Sequence, residues 1–402
     1  MSRIDKLIAE LAPDSVPHVA LSEVAEYSST RVDAAELDET SFVGVDNLVS
    51  DKGGRVDASY LPNTARLTAY ESGDILLGNI RPYLKKVWIA TNSGGCSGDV
   101  LAVRVLRKHR DSLDPAFLYY LLSSDNFFAY SMRHAKGAKM PRGSKSAILS
   151  YRIPVPPLEV QREIVRVLDQ FAQLEAELEA ELEARRRQYE HYRHLELTFE
   201  STIPRVLLGE IAEVRNGWGF PNTQQGCGDG DYPFYKVSDM NRLGNETVMD
   251  GANNYVSKEV AKQLGVRPAP RGTVIFPKIG AAVATNKKRV LSRPSAYDNN
   301  VMGVIPSEAI ESRFLYHWLQ TYDLRKLAND SGAVPSIRKS EAEQLLVPLP
   351  QIGEQRRIVA VLDSFDALVN DLNDGLPAEI AARRKQYEYY RDKILTFKEA
   401  AA

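Results

Sequence analysis

Apolar positions recur along this chain with two periods, and the stretches carrying the longer period occur twice. Residues 153–171 read IPVPPLEVQREIVRVLDQF, and residues 347–365 read VPLPQIGEQRRIVAVLDSF. Pro-x-Pro sets an extended approach, after which apolar residues return every three or four positions, so each stretch predicts a long helix. The first stripe runs through Ile164, Leu168, Phe171, Leu174, Leu178, Leu182, Tyr189, Tyr192 and Phe199. The second runs through Ile358, Leu362, Phe365, Leu368, Tyr387 and Tyr390. A further matching block closes each copy: ARRRQYEHYR then LTF (184–199), and ARRKQYEYYR then LTF (382–397). A helix over 158–199 would be on the order of 60 Å long, and so narrow a stripe needs a partner. The other copy is the candidate, and because each follows an equivalent segment, antiparallel pairing is expected.

The shorter period marks strands. Runs at 74–77, 87–90, 100–105, 273–276 and 301–305 are β-rich and bounded by Gly, Asn and Pro. One amphipathic helix follows in each half, at 115–122 and 312–322. A short helix is predicted over 2–11, with Ile4, Leu7, Ile8 and Leu11 on one face and Pro13 ending it. The landmarks keep the same order twice: VPHVALSEVAE matches IPRVLLGEIAE, GDILLGNIR matches GTVIFPKIG, DPAFLYYLL matches ESRFLYHWL, and PRGSKS matches PSIRKS. Two homologous halves follow, roughly 16–200 and 203–397. The predicted fold is α+β: globular domains over 1–152 and 201–346, and spacer helices over 153–200 and 347–399 paired as an antiparallel coiled coil. Between landmarks the halves diverge, which suits a shared scaffold with private recognition surfaces.

The two helices are unequal. Phe171 to Arg185 spans 14 residues, and Phe365 to Arg383 spans 18. The longer copy carries Gly375-Leu376-Pro377, and Pro377 fits only a first helical turn, so a break is expected there. The shorter copy carries LEAE-LEAE-LEAR, in which each four-residue unit adds about 6 Å of helix.

Composition narrows the classes. A 402-residue chain with 44% hydrophobic residues can bury packed cores, so it is not disordered. No run of 18 apolar residues exists, and the charged N-terminus lacks the apolar segment of a signal peptide. Two distant cysteines, Cys96 and Cys227, suggest a reducing cytoplasm, and without an apolar run long enough to span it no membrane partner is expected. The net charge of -2 hides segregation. Stretch 260–297 holds eight basic residues and no acid, among them Lys278, Lys287, Lys288 and Arg289. Stretch 127–152 holds Lys136, Lys139, Arg142 and Lys145, and stretch 75–98 holds Arg81, Lys85 and Lys86, again without acid. A single charge run is as easily a solvated face. Basic runs at matching places in both halves suit phosphate backbones. Stretch 172–184 has five glutamates and no base, so it reads as a spacer or as a site for a basic partner.

Lys145 and Lys339, the latter beside Arg338, each stand nine residues before a Pro-x-Pro, after loops whose N–H groups suit a phosphate. Tyr60, Tyr83, Asn79, Trp218 and Asn222 lie in divergent segments and could read base edges, though core or turn roles are the plainer reading. Leu168, Phe171, Leu178, Leu182, Tyr189, Tyr192, Leu362, Phe365, Tyr387 and Tyr390 are the expected seam. Catalytic constellations are missing: no phosphate loop, no His/Cys metal set and no nucleotide fingerprint. DYPFY (231–235) only faintly echoes the Asp/Asn-Pro-Pro-Tyr/Phe loop of amino-methyltransferases and reads as the start of a strand.

These doubled motifs, Pro-x-Pro, Gln-Arg-x-Ile-Val-x-Val-Leu-Asp-x-Phe and Arg-Arg-x-Gln-Tyr-Glu-x-Tyr-Arg, resemble the specificity (S) subunit of type I restriction–modification enzymes over essentially the whole chain. The start, Leu7 to Pro13 and Leu21 to Val24, is similar too. Val160 departs from the usual Glu, and Gly375-Leu376-Pro377 interrupts the second helix. The resemblance implies two target recognition domains, each reading half of a bipartite asymmetric site on double-stranded DNA, with the helices as a ruler. It implies two methyltransferase (M) subunits that methylate adenine N6 with S-adenosylmethionine, and restriction (R) subunits that use ATP and magnesium. It implies no active site, metal or cofactor on this chain itself. The competing class is a structural coiled-coil adaptor that binds only proteins; the duplicated basic loops weigh against it.

Overall fold

The computed structural model describes residues 3–13, 15–328, 334–371 and 375–398. It divides into two compact units: residues 1–175 with 384–402, and residues 176–383.

In the first unit, strands Ala25–Tyr27, Val100–Val105, Ile75–Gly78 and Val87–Ile89 lie side by side in that order, all antiparallel. A strand shows alternate residues to opposite faces. Ile75, Leu77, Leu101, Val103 and Val105 therefore join one core, with Phe117, Leu118, Leu121 and Phe127. Leu76, Val100 and Ala102 join another, with Val43, Tyr70 and Cys96. A second sheet holds Arg31–Asp33, Arg66–Tyr70, Gly94–Cys96 and Phe42–Val43. Helix Pro115–Leu122 starts on Asp114, whose side chain accepts from the Ala116 N–H at 2.8 Å. Ribbon His18–Ala20 pairs with Arg152–Pro154 and delivers the chain to Pro156-Pro157.

The second unit repeats this plan with additions. Strands Ala212–Asn216, Val301–Pro306, Val274–Pro277, Arg289–Leu291 and Val248–Met249 form one sheet. Tyr255–Val256, Tyr232–Tyr235 and Ala296–Tyr297 form another. Ribbon Arg205–Leu207 pairs with Leu346–Pro348. Helix Ser312–Thr321 covers the core face of the larger sheet through Phe314, Leu315 and Leu319.

The long helix spans Leu158–Glu196, about 58 Å at 1.5 Å per residue. It does not stand apart from the globular parts. Val160, Ile164 and Leu168 are fully buried in the first core, each worth roughly 2 kcal/mol in apolar burial. Val160, the residue that departs from the family pattern, is thus a core residue. Tyr189 and Leu197 are buried in the second core. The second copy is two helices, Ile352–Asn370 and Leu376–Ile394. The break lies between Asn370 and Leu376, and Pro377 sits in the first turn of the new helix, where a missing N–H is harmless. A Cβ on Gly375 would stand 2.6 Å from the carbonyls of Ala367 and Asp371, so only glycine fits.

Each unit pairs its own helices in antiparallel fashion. In the first, Phe171 packs on Tyr387 and stacks on Tyr390, both at 6.0 Å, and Glu175 bonds Arg384. In the second, Phe365 stacks on Tyr189 at 6.1 Å and Tyr192 at 5.0 Å, and Glu196 bonds Arg357. Leu362 is fully buried, Leu178 nearly so, and Leu182 packs on the second core. The acidic run is less bare than its composition suggests: Glu175 pairs with Arg384, Glu181 with Arg185 and Glu183 with Arg187. Among the described residues no helix is long and apolar enough to cross a membrane.

Candidate nucleic-acid interface

One corner is built the same way in both units. In the first, the chain leaving strand Ile75–Gly78 pairs with the segment before helix Lys145–Leu149. Arg81 N–H donates to Pro141 O at 2.7 Å, and Gly143 N–H donates to Asn79 O at 3.0 Å. In the second, the chain leaving Val274–Pro277 pairs with the segment before helix Lys339–Glu343. Gly280 N–H donates to Pro335 O, and Ile337 N–H to Lys278 O, both at 2.8 Å. These bonds join loops whose basic residues lie some 60 positions apart in sequence.

Around the first corner stand Arg81, Lys136, Lys139, Arg142 and Lys145, all exposed. Lys136 and Arg142 exchange backbone hydrogen bonds at 2.9 and 2.8 Å, closing a small loop with Lys139 near its tip. Arg142 reaches Asp99 only at 3.5 Å. Lys145 opens its helix behind the cap Ser144, and its carbonyl accepts from Tyr27 OH. Around the second corner, Arg338 and Lys339 are exposed. Lys339 lies 3.4 Å from Glu343. Lys278 is half-buried, donates to Asn216 at 2.8 Å, and burial lowers its ammonium pKa. Residues 331–333 of the preceding loop lie outside the described residues, as do Ser2 and Glu399 of the predicted helices.

Other basic residues point inward. Lys86 is half-buried and donates to Val45 O at 2.7 Å. Lys288 is fully buried, with Nζ donating to Asn286 Oδ1 at 2.8 Å and to Tyr322 O at 2.7 Å. Burial pushes its ammonium down to about 8. Arg289 donates to the carbonyls of Lys288 and Met240, and burial lowers it as well. Of the run 287–289, Lys287 and Arg289 are half-buried; the Lys287 ammonium bonds Asn241, while the Arg289 guanidinium is turned onto backbone carbonyls. The sequence treats 287–289 as one surface patch; strand Arg289–Leu291 runs into the sheet and takes two of the three inside.

Lys85 is also engaged. Its ammonium donates to Asp125 Oδ1 at 2.8 Å, and Lys52 donates to the same oxygen at 2.9 Å. Arg391 NH2 reaches Asp125 Oδ2 at 3.1 Å from a fully buried position. Burial alone would raise Asp125, but the bonds from Lys85 and Lys52 outweigh it and hold the carboxyl well below the usual carboxylate range. Sequence reasoning missed Lys52, a single lysine in a turn. Arg391 ends the second repeated block and was marked only by that repetition.

The possible base readers divide. Tyr60 and Tyr83 are exposed, Asn222 opens an exposed turn, Asn79 is buried, and Trp218 packs on Tyr297. In DYPFY, Phe234 and Tyr235 are fully buried in strand Tyr232–Tyr235, so this is a strand and its rings cannot hold a substrate base. Among the described residues no group of His, Cys, Asp and Glu is placed to hold a metal.

The chain matches the family model described as type I restriction modification DNA specificity domain twice, over residues 16–184 and 202–382. It is similar to the type I restriction enzyme EcoR124I/EcoR124II specificity subunit of Escherichia coli, at 34% identity over 260 residues. That match covers 61% of this chain and 63% of the relative, so it spans less than two thirds of the relative's length. It is also 28% identical over 302 residues to a putative type I specificity subunit of Haemophilus influenzae, covering 72% of this chain and 74% of that one. In fold it resembles a solved chain from work on complex assembly and conformational transition of the type I R-M system. The TM-score is 0.60 at 21% identity, over 95% of this chain and 97% of that one.

Proposed function

The chain belongs to the type I restriction modification DNA specificity family, and on that premise we propose that it is the DNA-reading subunit of an assembly whose chemistry other chains perform. The observation that carries the reading is the corner built twice. In each unit the same pair of backbone hydrogen bonds brings two basic loops to one edge. Phosphate contacts position a protein on duplex DNA, and base contacts then specify the sequence. Each unit reads one half of a bipartite asymmetric site, and the divergent segments beside each corner give the two halves different sequences. The helices set the gap between half-sites and offer the surface on which two adenine-N6 methyltransferase subunits dock, carrying S-adenosylmethionine. Restriction subunits, with ATP and magnesium, join the assembly through them. The chain performs no catalysis of its own.

The test is the adenine methylation profile of the host genome with and without this gene. A two-part motif with a fixed gap is expected to vanish on deletion and return on complementation. A profile indifferent to the gene refutes the reading.

A further inference from the structure

Five non-glycine residues among those described have left-handed backbones. Four lie in two neighbouring loops of the first unit: Asp51 (φ 53°), Lys52 (φ 66°), Arg81 (φ 51°) and Lys85 (φ 50°). This conformation costs an L-residue roughly 1–2 kcal/mol and persists only where its surroundings fix it. Here the loops fix each other. Asp51 N–H donates to Leu84 O at 2.9 Å, and Lys52 N–H donates to Lys85 O at 3.0 Å. The result brings two lysines side by side onto one carboxylate oxygen, Asp125 Oδ1.

The charges do not balance. Lys52, Lys85 and Arg391 face Asp125, and among the described residues only Asp392, on Arg391 at 2.9 Å, adds a second carboxylate. Each ammonium has three donors and gives one to Asp125, which leaves two on each without an acceptor among the described residues. Burial lowers the Lys52 ammonium, and repulsion from Arg391 and Lys85 adds to this against the pull of Asp125.

Closing the corner does not require this arrangement, as the second unit demonstrates. There the fifth left-handed residue, Asn286 (φ 54°), caps the short helix Gly280–Thr285 just as Lys85 caps Pro82–Leu84. Asn286 Oδ1 accepts from Leu324 N–H at 2.9 Å and from a single ammonium, Lys288, which is sealed from solvent. In the first unit two ammonium groups occupy the corner instead, with 19% and 35% of their side chains exposed.

We infer that Lys52 and Lys85 form the seat of one backbone phosphate of duplex DNA, with Asp125 as the positioning residue that holds both ammonium groups in place. Arg391 anchors Asp125 from behind through its second oxygen. Arg81, exposed on the same loop as Lys85, connects this seat to the basic corner. The inference rests on the DNA-reading proposal above and adds to it a specific contact.

The test compares the full chain with the double variant Lys52→Gln/Lys85→Gln, which removes both charges and keeps an amide N–H donor on a side chain one atom shorter. First, thermal melting is measured with inorganic phosphate against chloride of equal ionic strength. Phosphate is expected to raise the melting temperature of the wild type and not of the variant. An equal rise in both, or none in either, overturns the seat. Second, duplex binding is measured against salt. The variant is expected to lose about 0.9 from the log–log slope, alike for target and unrelated sequence. If the phosphate effect is lost but the slope is unchanged, the seat takes a free anion and the assignment to DNA is overturned. If the wild type itself shows no salt-sensitive DNA binding, the functional proposal fails, and the melting comparison alone decides the seat.

Discussion

Gln161 holds Asp114. Its Oε1 accepts the Asp114 backbone N–H at 2.9 Å, while its Nε2 donates to Ser112 O and Pro156 O, both at 2.7 Å. Gln355 repeats the pattern with Glu311 N–H at 2.8 Å, Ala309 O at 3.2 Å and Pro350 O at 2.9 Å. Both amides are fully buried. One side chain thus joins three segments in each unit: the turn before the domain helix, the Pro-x-Pro and the spacer helix. A primary amide offers an acceptor oxygen and two N–H donors on one side chain, which gives the glutamine of the repeated motif its physical reason.

Gln161→Glu keeps the size and removes both donors. Two buried carbonyls lose their partners, and a carboxylate enters a closed site. Urea unfolding should show a loss of about 3 kcal/mol or more. Gln355→Glu should cost the second unit a similar amount, and wild-type stability in either variant would refute this role.

The exposed loop of the first corner should act on DNA without preference for sequence. The triple variant Lys136→Gln/Lys139→Gln/Arg142→Gln is expected to weaken target and unrelated duplexes alike. The salt slope should fall by up to about 3, near 0.9 for each phosphate no longer neutralised. A titration at several salt concentrations checks this, and an unchanged slope removes the loop from the interface.

Lys288 should betray itself through pH rather than through DNA. Its folded-state value is about 8, against 10.5 for a free lysine. Between these values the unfolded chain holds more protons, so stability rises with pH there; below about pH 8 the cost of the buried charge is constant. Lys288→Met abolishes that rise. Unfolding free energies measured from pH 7 to 10 should therefore show the wild type gaining on the variant only above about pH 8. Parallel curves would contradict the burial.

Removing residues 174–177, one LEAE unit, shortens the long helix by about 6 Å, or a little under two base pairs at roughly 3.4 Å each. Both half-sites should remain readable, with the preferred gap reduced by one or two base pairs. The methylation motif of cells carrying the deletion reads this out directly, and an unchanged gap defeats the ruler.

Much of the scaffold is legible in the residues. Strand Val100–Val105 and helix Pro115–Leu122 fall where the β-rich run and the amphipathic pattern place them, and Pro377 marks the start of a helix as its ring demands. The depth of charged residues is not legible. A run such as Lys287-Lys288-Arg289 gives no indication of which side chains a sheet edge draws inside. Distant pairings are equally hidden: Lys52 meets Asp125 across 73 positions, and Glu175 meets Arg384 across 209. Repetition partly compensates, because it marked Gln161, Gln355 and Arg391 before their partners were visible.

The two units are unlike in how the chain supplies them. Residues 176–383 form one continuous unit, whereas the other is made of residues 1–175 closed by 384–402. Leu395 is buried in that first core beside Val160, Ile164 and Leu168, and Lys398 O accepts from Val16 N–H at 3.2 Å. During synthesis the part made first is therefore completed last. Until the final helix emerges from the ribosome, the apolar stripe of Ile164 and Leu168 lacks its cover, while the later unit already has everything it needs to fold. A nascent chain of this kind carries an open core while all of residues 176–383 are being made, which makes that stripe the place where a chaperone or a premature partner would first take hold.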